Sequence, residues 1–258
     1  MRATAKVTIQ MGLLSIINVP MYSAIESSEK VSFNQLHSDC QHRVIQKLFC
    51  PECDKEITDK KAEVLKGYPI SKDNYVVLTE TEIESCKKDS TDVVKVIQFV
   101  EDGEIPEIFF ESASYLSAGK DSLDTFSLFY KLLVDCKKIA LAKMIARGKD
   151  HFLALKPYGG VLVAYELYFP AQIRDTAEIE KPLEDGFDEE TVNMAKALVE
   201  KMSKPFVPAE IKDEYTAALR SIIEAKADGK VIDLTEKKVS KKVVSLKDAL
   251  KESLQKAA

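Results

Sequence analysis

The sequence predicts a mainly β chain with accessory helices, a closed or nearly closed barrel followed by a helical arm and a short tail. Three observations predict it. Short β-branched and aromatic runs, punctuated by Gly, Pro, Asn and Asp, recur as far as about Arg174. Beyond Asp188 the apolar period lengthens from that of a strand to that of a helix. Between the first strand and the later ones, Asn34 to Lys66 is polar, with few apolar side chains to build a core of its own.

The opening strand follows from Val7, Ile9 and Met11 alternating with Lys6, Thr8 and Gln10. Arg2 and Lys6 ahead of the apolar Met11–Tyr22 run imitate a signal peptide. Asn18 and Pro20 interrupt that run well short of the ~20 apolar residues of a membrane span, so the expectation is an intracellular protein with no membrane segment. Further strands are expected at Tyr75–Thr79, Asp92–Val100, Ile108–Phe110, Phe152–Leu155 and Val161–Phe169, the last introduced by the turn pair Gly159-Gly160. One helix interrupts them, with Leu123, Phe126, Tyr130, Leu133 and Val134 on one face. Scattered strands around few helices favour a barrel over a doubly wound sheet.

The arm begins with Val192, Ala195, Leu198, Val199 and Met202 in a helical stripe, with Asp188 as N-cap and Pro205 and Pro208 as terminators. A second helix carries Ile211, Tyr215, Leu219 and Ile222 and stops near Gly229. The implied division is a core over 1–175 (with an insertion at about 34–80), an arm over 176–230, and a linker with a tail over 231–258. In the tail, Val243, Val244, Leu246, Leu250 and Leu254 sit among lysines, as in a frayed amphipathic helix or a peptide that docks in a partner's groove.

A net charge of −5 counts at first against a nucleic-acid partner. Its distribution matters more. Between Lys137 and Arg174 there are seven Lys or Arg against two acids, while Glu178–Glu190 is strongly acidic. No GxGxxG, GxSxG, P-loop or HExxH is present. His151 beside Asp150 reads as a surface imidazole, so the expectation is a non-catalytic protein.

Of five cysteines, three cluster. His37-Ser-Asp-Cys40 is followed, after nine intervening residues, by Cys50-Pro-Glu-Cys53. Two thiolates separated by two residues can close on one cation, and the first pair adds an imidazole and a third thiolate at the same spacing. Four N/S ligands with no open position describe a structural Zn2+ site, which can hold an insertion where burial cannot. His42 is a rival fourth ligand, but its tighter separation from Cys40 favours His37. A thioredoxin-like redox pair would need a βαβ context that this sequence does not suggest.

These residues also carry a resemblance. Val31–His37, Arg43–Gly67 with its CPxC, Leu65–Tyr68 and Tyr75–Thr79 resemble the central block of the bacterial-type Ku family. Ile105–Glu111, Tyr115-Leu-Ser117, Ala142–Arg147, His151–Pro157, Tyr168–Arg174 and the tail Val243–Leu254 are similar to later blocks, in order along nearly the whole chain. The family's usual tryptophan and N-I-P-V run are replaced by Ala5 and Ile17-Asn-Val-Pro20. The resemblance implies a β-barrel with an inserted bridge, a homodimer closing a ring on double-stranded DNA ends, and recruitment of the ATP-dependent end-joining ligase D through a tail that binds protein or DNA. It also implies a cytoplasmic, nucleoid-associated protein. Candidate phosphate contacts are then Arg43, Lys47 and Lys66 on the bridge, and Lys143, Arg147, Lys149 and Lys156 on the basic hairpin. The competing readings are a zinc-ribbon repair nuclease and a protein-docking regulatory module.

Overall fold

A computed structural model describes residues 2–26, 31–72, 74–182, 186–229, 249, 250 and 253. The chain divides into two compact units, Met1–Ser27 with Phe33–Arg174, and Ser28–Ser32 with Asp175–Ala258. In the first unit, β1 (Ala5–Met11) and β2 (Leu14–Ser23) form a hairpin. An insertion follows, containing β3 (Leu48–Cys50), β4 (Lys55–Ile57), α1 (Lys60–Glu63), β5 (Lys66–Ser71), β6 (Asn74–Leu78) and α2 (Glu80–Ser85). The chain then returns through β7 (Val93–Glu101), β8 (Phe110–Leu116), α3 (Leu123–Cys136), β9 (Lys138–Ala146), β10 (Lys149–Tyr158) and β11 (Val161–Leu167).

Seven of these strands close a barrel in the order β1-β2-β8-β11-β10-β9-β7. Closure is made by β1 lying parallel to β7, with Thr8 opposite Val93 and Ile9 opposite Val94. Register shifts at Val7/Ile9 and Val96/Gln98 bend the two strands that must meet. Closure satisfies backbone groups that an open edge would leave unpaired.

Period-2 alternation drives the inner face. Val7, Ile9, Ile16, Val19, Val94, Leu116, Leu153, Leu155 and Leu162 are buried in one cluster. Ala142 stands opposite Leu153, and Leu155 lies between Ala140 and Ala164, so small residues make room for large ones across three strands.

Two expectations need correction. Ile108–Phe110 is not a strand: Pro106 leads into a 3-10 turn at Glu107–Phe109, and β8 starts only at Phe110. α3 faces the core through Phe126, Phe129 and Leu133, while Leu123 and Val134 are exposed and Tyr130 is half-buried. The stripe is rotated toward Phe129 because α3 is anchored on the barrel at i, i+3 and i+7. Lys137, in the left-handed region at φ 51°, caps α3 and turns the chain directly into β9.

Gly119, between β8 and α3, permits a close approach: a Cβ there would stand 2.4 Å from the Asn18 carbonyl oxygen on β2. Backbone cannot yield as a flexible side chain can, so Gly119→Ala is expected to destabilise the fold by about 1–3 kcal/mol. A urea midpoint lowered at unchanged m-value would register it; an unchanged midpoint would refute it.

The second unit contains α4 (Glu189–Met202) and α5 (Glu214–Ala227). Asp188 and Asp213 accept the backbone amides of Thr191 and Thr216 at 3.0 and 2.9 Å, capping both helices. Ile211, expected inside the second helix, instead ends a 3-10 turn at Pro208–Glu210, because Asp213 sets the start of α5. Val199, Met202 and Tyr215 are all strongly exposed, so the expected stripes do not find a core among the described residues of this unit. Leu250 is half-buried and lines an apolar groove with Phe187, Val192, Ala195 and Val199. Val243, Val244, Leu246 and Leu254 lie outside the described residues. No described helix is long and apolar enough to cross a membrane.

Candidate functional site

The barrel encloses the buried apolar cluster, and the insertion between β2 and β7 contributes no residue to it. Among the described residues from 31 to 92 none is buried. Its two ribbons, β3–β4 and β5–β6, are separate two-stranded sheets. Every described position of β5 and β6 is exposed, including Tyr68, Ile70, Tyr75 and Val77. Isolated ribbons of this size are marginal in water, and here apolar side chains stand on them uncovered.

The insertion rejoins the barrel at one well-bonded place. Lys88 N–H donates to the Gly148 carbonyl at 3.1 Å, Thr91 N–H to Ile145 at 3.0 Å, and Gly148 N–H to Ser90 Oγ at 2.9 Å. The tip of the β9–β10 hairpin, Arg147-Gly148, is therefore docked on the segment that leaves the insertion. Gly148 has φ +77°, and a Cβ there would come within 2.8 Å of Lys87 Cβ.

This junction concentrates positive charge. Lys87, Lys88, Lys143, Arg147 and Lys149 belong to the two segments it joins. Lys88 and Lys143 both reach Asp150, at 2.5 and 3.3 Å. Hydrogen bonding from Lys88, then from Lys143, holds the Asp150 carboxyl below the usual carboxylate range. Arg147 and Lys149 are exposed and form no ion pair among the described residues. Sequence reasoning missed Lys87 and Lys88, although the doublet Lys87-Lys88 is a visible charge signal.

The other candidate cations divide sharply. Lys47 pairs with Glu56 at 3.0 Å, Lys66 with Glu80 at 3.2 Å, and Lys156 with Asp102 at 2.5 Å. Each would have to leave a carboxylate to meet a phosphate. Arg43, at the β-bridge with Leu36, is exposed and makes no ion pair among the described residues. His151 is held on both ring nitrogens, Nδ1 facing Glu166 and Nε2 the Ala146 carbonyl at 3.2 Å.

The candidate metal ligands form two local pairs. His37 Nδ1 lies 3.3 Å from Cys40 Sγ. The Cys53 backbone amide, followed by the Cys53 thiol and the Glu52 amide, holds the Cys50 thiol below its ordinary value, and Cys50 in turn raises that of Cys53. His42 Nδ1 donates to the Cys40 carbonyl at 2.7 Å, which leaves Nε2 as its free ligand atom. Among the described residues no three His, Cys, Asp or Glu side chains stand close enough together to share an ion.

The first unit is thus a closed barrel carrying an insertion with no buried described residue and a hairpin whose tip holds exposed Arg147 and Lys149. The family model described as the Ku70/Ku80 beta-barrel domain matches residues 11–202. A non-homologous end joining protein Ku from Archaeoglobus fulgidus is 36% identical over 256 residues, covering 99% of both chains. The same-named proteins of Lachnoclostridium phytofermentans and Desulfitobacterium hafniense are 33% and 29% identical, over 98% and 93% of this chain and 96% and 83% of theirs. The chain belongs to the Ku family.

Proposed function

We propose that this chain binds the ends of double-stranded DNA irrespective of sequence, as a homodimer whose two insertions close a ring around the duplex. In this reading it shields the ends and brings an ATP-dependent ligase of the ligase D type to them on the nucleoid, with no catalysis of its own. The observation that carries the reading is the insertion itself, because its ribbons expose Tyr68, Ile70, Tyr75 and Val77 and none of the described residues of the same unit covers them. A second copy supplies that cover at the place where a ring must close. The end-joining role named for the relatives is consistent with it.

Broken ends have no fixed sequence, so recognition must rest on phosphates. Arg147, Lys149 and Arg43 suit this because they are exposed and form no ion pair among the described residues. Lys47, Lys66, Lys87, Lys88, Lys143 and Lys156 stand behind them, since each is paired with a carboxylate already. The tail's apolar residues 243–254 are the segment offered to the ligase. Gel shifts with linear, hairpin-capped and covalently closed duplexes, alongside the mass of the free protein, test the ring. The expected result is a dimer that needs a free end and loses affinity steeply with salt. Equal affinity for closed circles and linear DNA would overturn threading, and a monomer on DNA would overturn the ring.

A further inference from the structure

The insertion contains the same small loop twice. Moving thirteen positions along the sequence carries His37 onto Cys50, Cys40 onto Cys53, and Gln41 onto Asp54. The backbone repeats with them. Leu36 pairs with Arg43 across the first loop, and Phe49 with Glu56 across the second, which is the same shift on both strands. His37 N–H donates to the His42 carbonyl at 2.9 Å, where the second loop pairs Cys50 with Lys55.

The residue after the second ligand enters the left-handed region in both loops, Gln41 at φ 56° and Asp54 at φ 50°. Positive φ is uncommon outside glycine. Its recurrence at one loop position marks a shared geometry, a reversal tight enough to bring the first and fourth residues side by side. His37 Nδ1 at 3.3 Å from Cys40 Sγ is the outcome in the first loop, and the second loop closes over the same span, with Cys50 paired to Lys55 and Phe49 to Glu56.

We propose that these paired loops are the two halves of one structural Zn2+ site, with His37, Cys40, Cys50 and Cys53 as ligands. Three thiolates and an imidazole are the donor set and number that tetrahedral zinc takes when no position is left for water. The pairs are not yet convergent, so binding includes a movement of one loop toward the other. Little in the insertion resists it: the connecting residues 44–47 lie in no helix or strand, and no described side chain from 31 to 92 is buried. Metal closure supplies the order that burial does not.

The repeat also decides the fourth ligand. His37 occupies the position of Cys50, a ligand, whereas His42 occupies that of Lys55, whose Nζ pairs with Glu63 at 3.2 Å. A Cys50–Cys53 disulfide would account for the second loop alone and leave the first without a reason for its form.

The test uses the full chain, dialysed against metal-free buffer under reducing conditions, with zinc measured by elemental analysis and ligands by X-ray absorption. The expected content is one zinc per chain, with sulfur and nitrogen neighbours in a three-to-one ratio. Cobalt titration of the unaltered chain should give the visible bands of a tetrahedral thiolate site and needs no variant to fold. Cys40→Ser, Cys53→Ser and His37→Ala should each weaken zinc at least about tenfold, and His42→Ala should change it less than about twofold. Zinc-free protein after growth with zinc, an octahedral cobalt spectrum, or full zinc in Cys40→Ser/Cys53→Ser would each overturn the site. DNA binding is read separately by gel shift, so failure of the ring leaves the zinc result standing, and the reverse.

Discussion

Arg147→Glu with Lys149→Glu is expected to weaken binding to a linear duplex by about 100-fold at moderate salt, without lowering thermal stability. In the proposed dimer the change touches four cations, two per protomer, and exposed ion pairs are each worth about 0.7 kcal/mol. Four such pairs amount to roughly 2.8 kcal/mol, a factor of about 100. The prediction is specific to these residues because neither answers to a carboxylate among the described side chains, so no internal pair is broken. Lys156→Ala should cost much less, since Lys156 is held by Asp102 at 2.5 Å and is not free to meet a phosphate. The slope of log affinity against log salt should also flatten, by about 0.9 for each phosphate no longer neutralised. Unchanged affinity in the double variant would remove the hairpin tip from the DNA path.

The barrel is legible where period-2 patterns are long and bounded by turn residues, as in β1, β7 and β11. β9 escapes a reading by pattern because Lys138–Ala146 mixes lysines with alanines, and its small residues make sense only beside Leu153 and Leu155 of β10. β3 and β4 are three residues each, too short for any period to register. The caps on α4 and α5 depend on an aspartate and the following backbone amides, and Asp188 can be picked out from local sequence alone. The charges are legible one by one but not as a surface. Nothing local says that Lys156 meets Asp102 across fifty-four residues, or that Lys88 reaches the β10 carboxylate of Asp150. The metal candidates are legible as two ligand pairs, while the doubling of the loop that carries them needs backbone angles.

Phe129→Ala is expected to be the most damaging single truncation in α3, at about 3–5 kcal/mol. Helical spacing allows two orientations of this helix, one facing the barrel through Leu123 and Val134 and one through Phe129. Phe129 is 1% exposed, within the cluster that includes Val7, Ile9 and Leu155, whereas Val134 is 46% exposed. Removing a ring from a filled interior forfeits its transfer free energy and leaves a cavity that surrounding strands, tied into a closed ladder, cannot collapse to fill. Val134→Ala removes methyl groups already in contact with water and should stay within about 0.5 kcal/mol. For a chain of this size each kcal/mol lowers Tm by about 2–4 °C, so the two variants should separate by at least about 5 °C in a thermal melt. Equal melts would mean that α3 does not sit on the barrel through Phe129. A low midpoint for Phe129→Ala, with end binding restored on cooling, would locate the residue's contribution in the scaffold and leave the basic hairpin tip as the part that meets DNA.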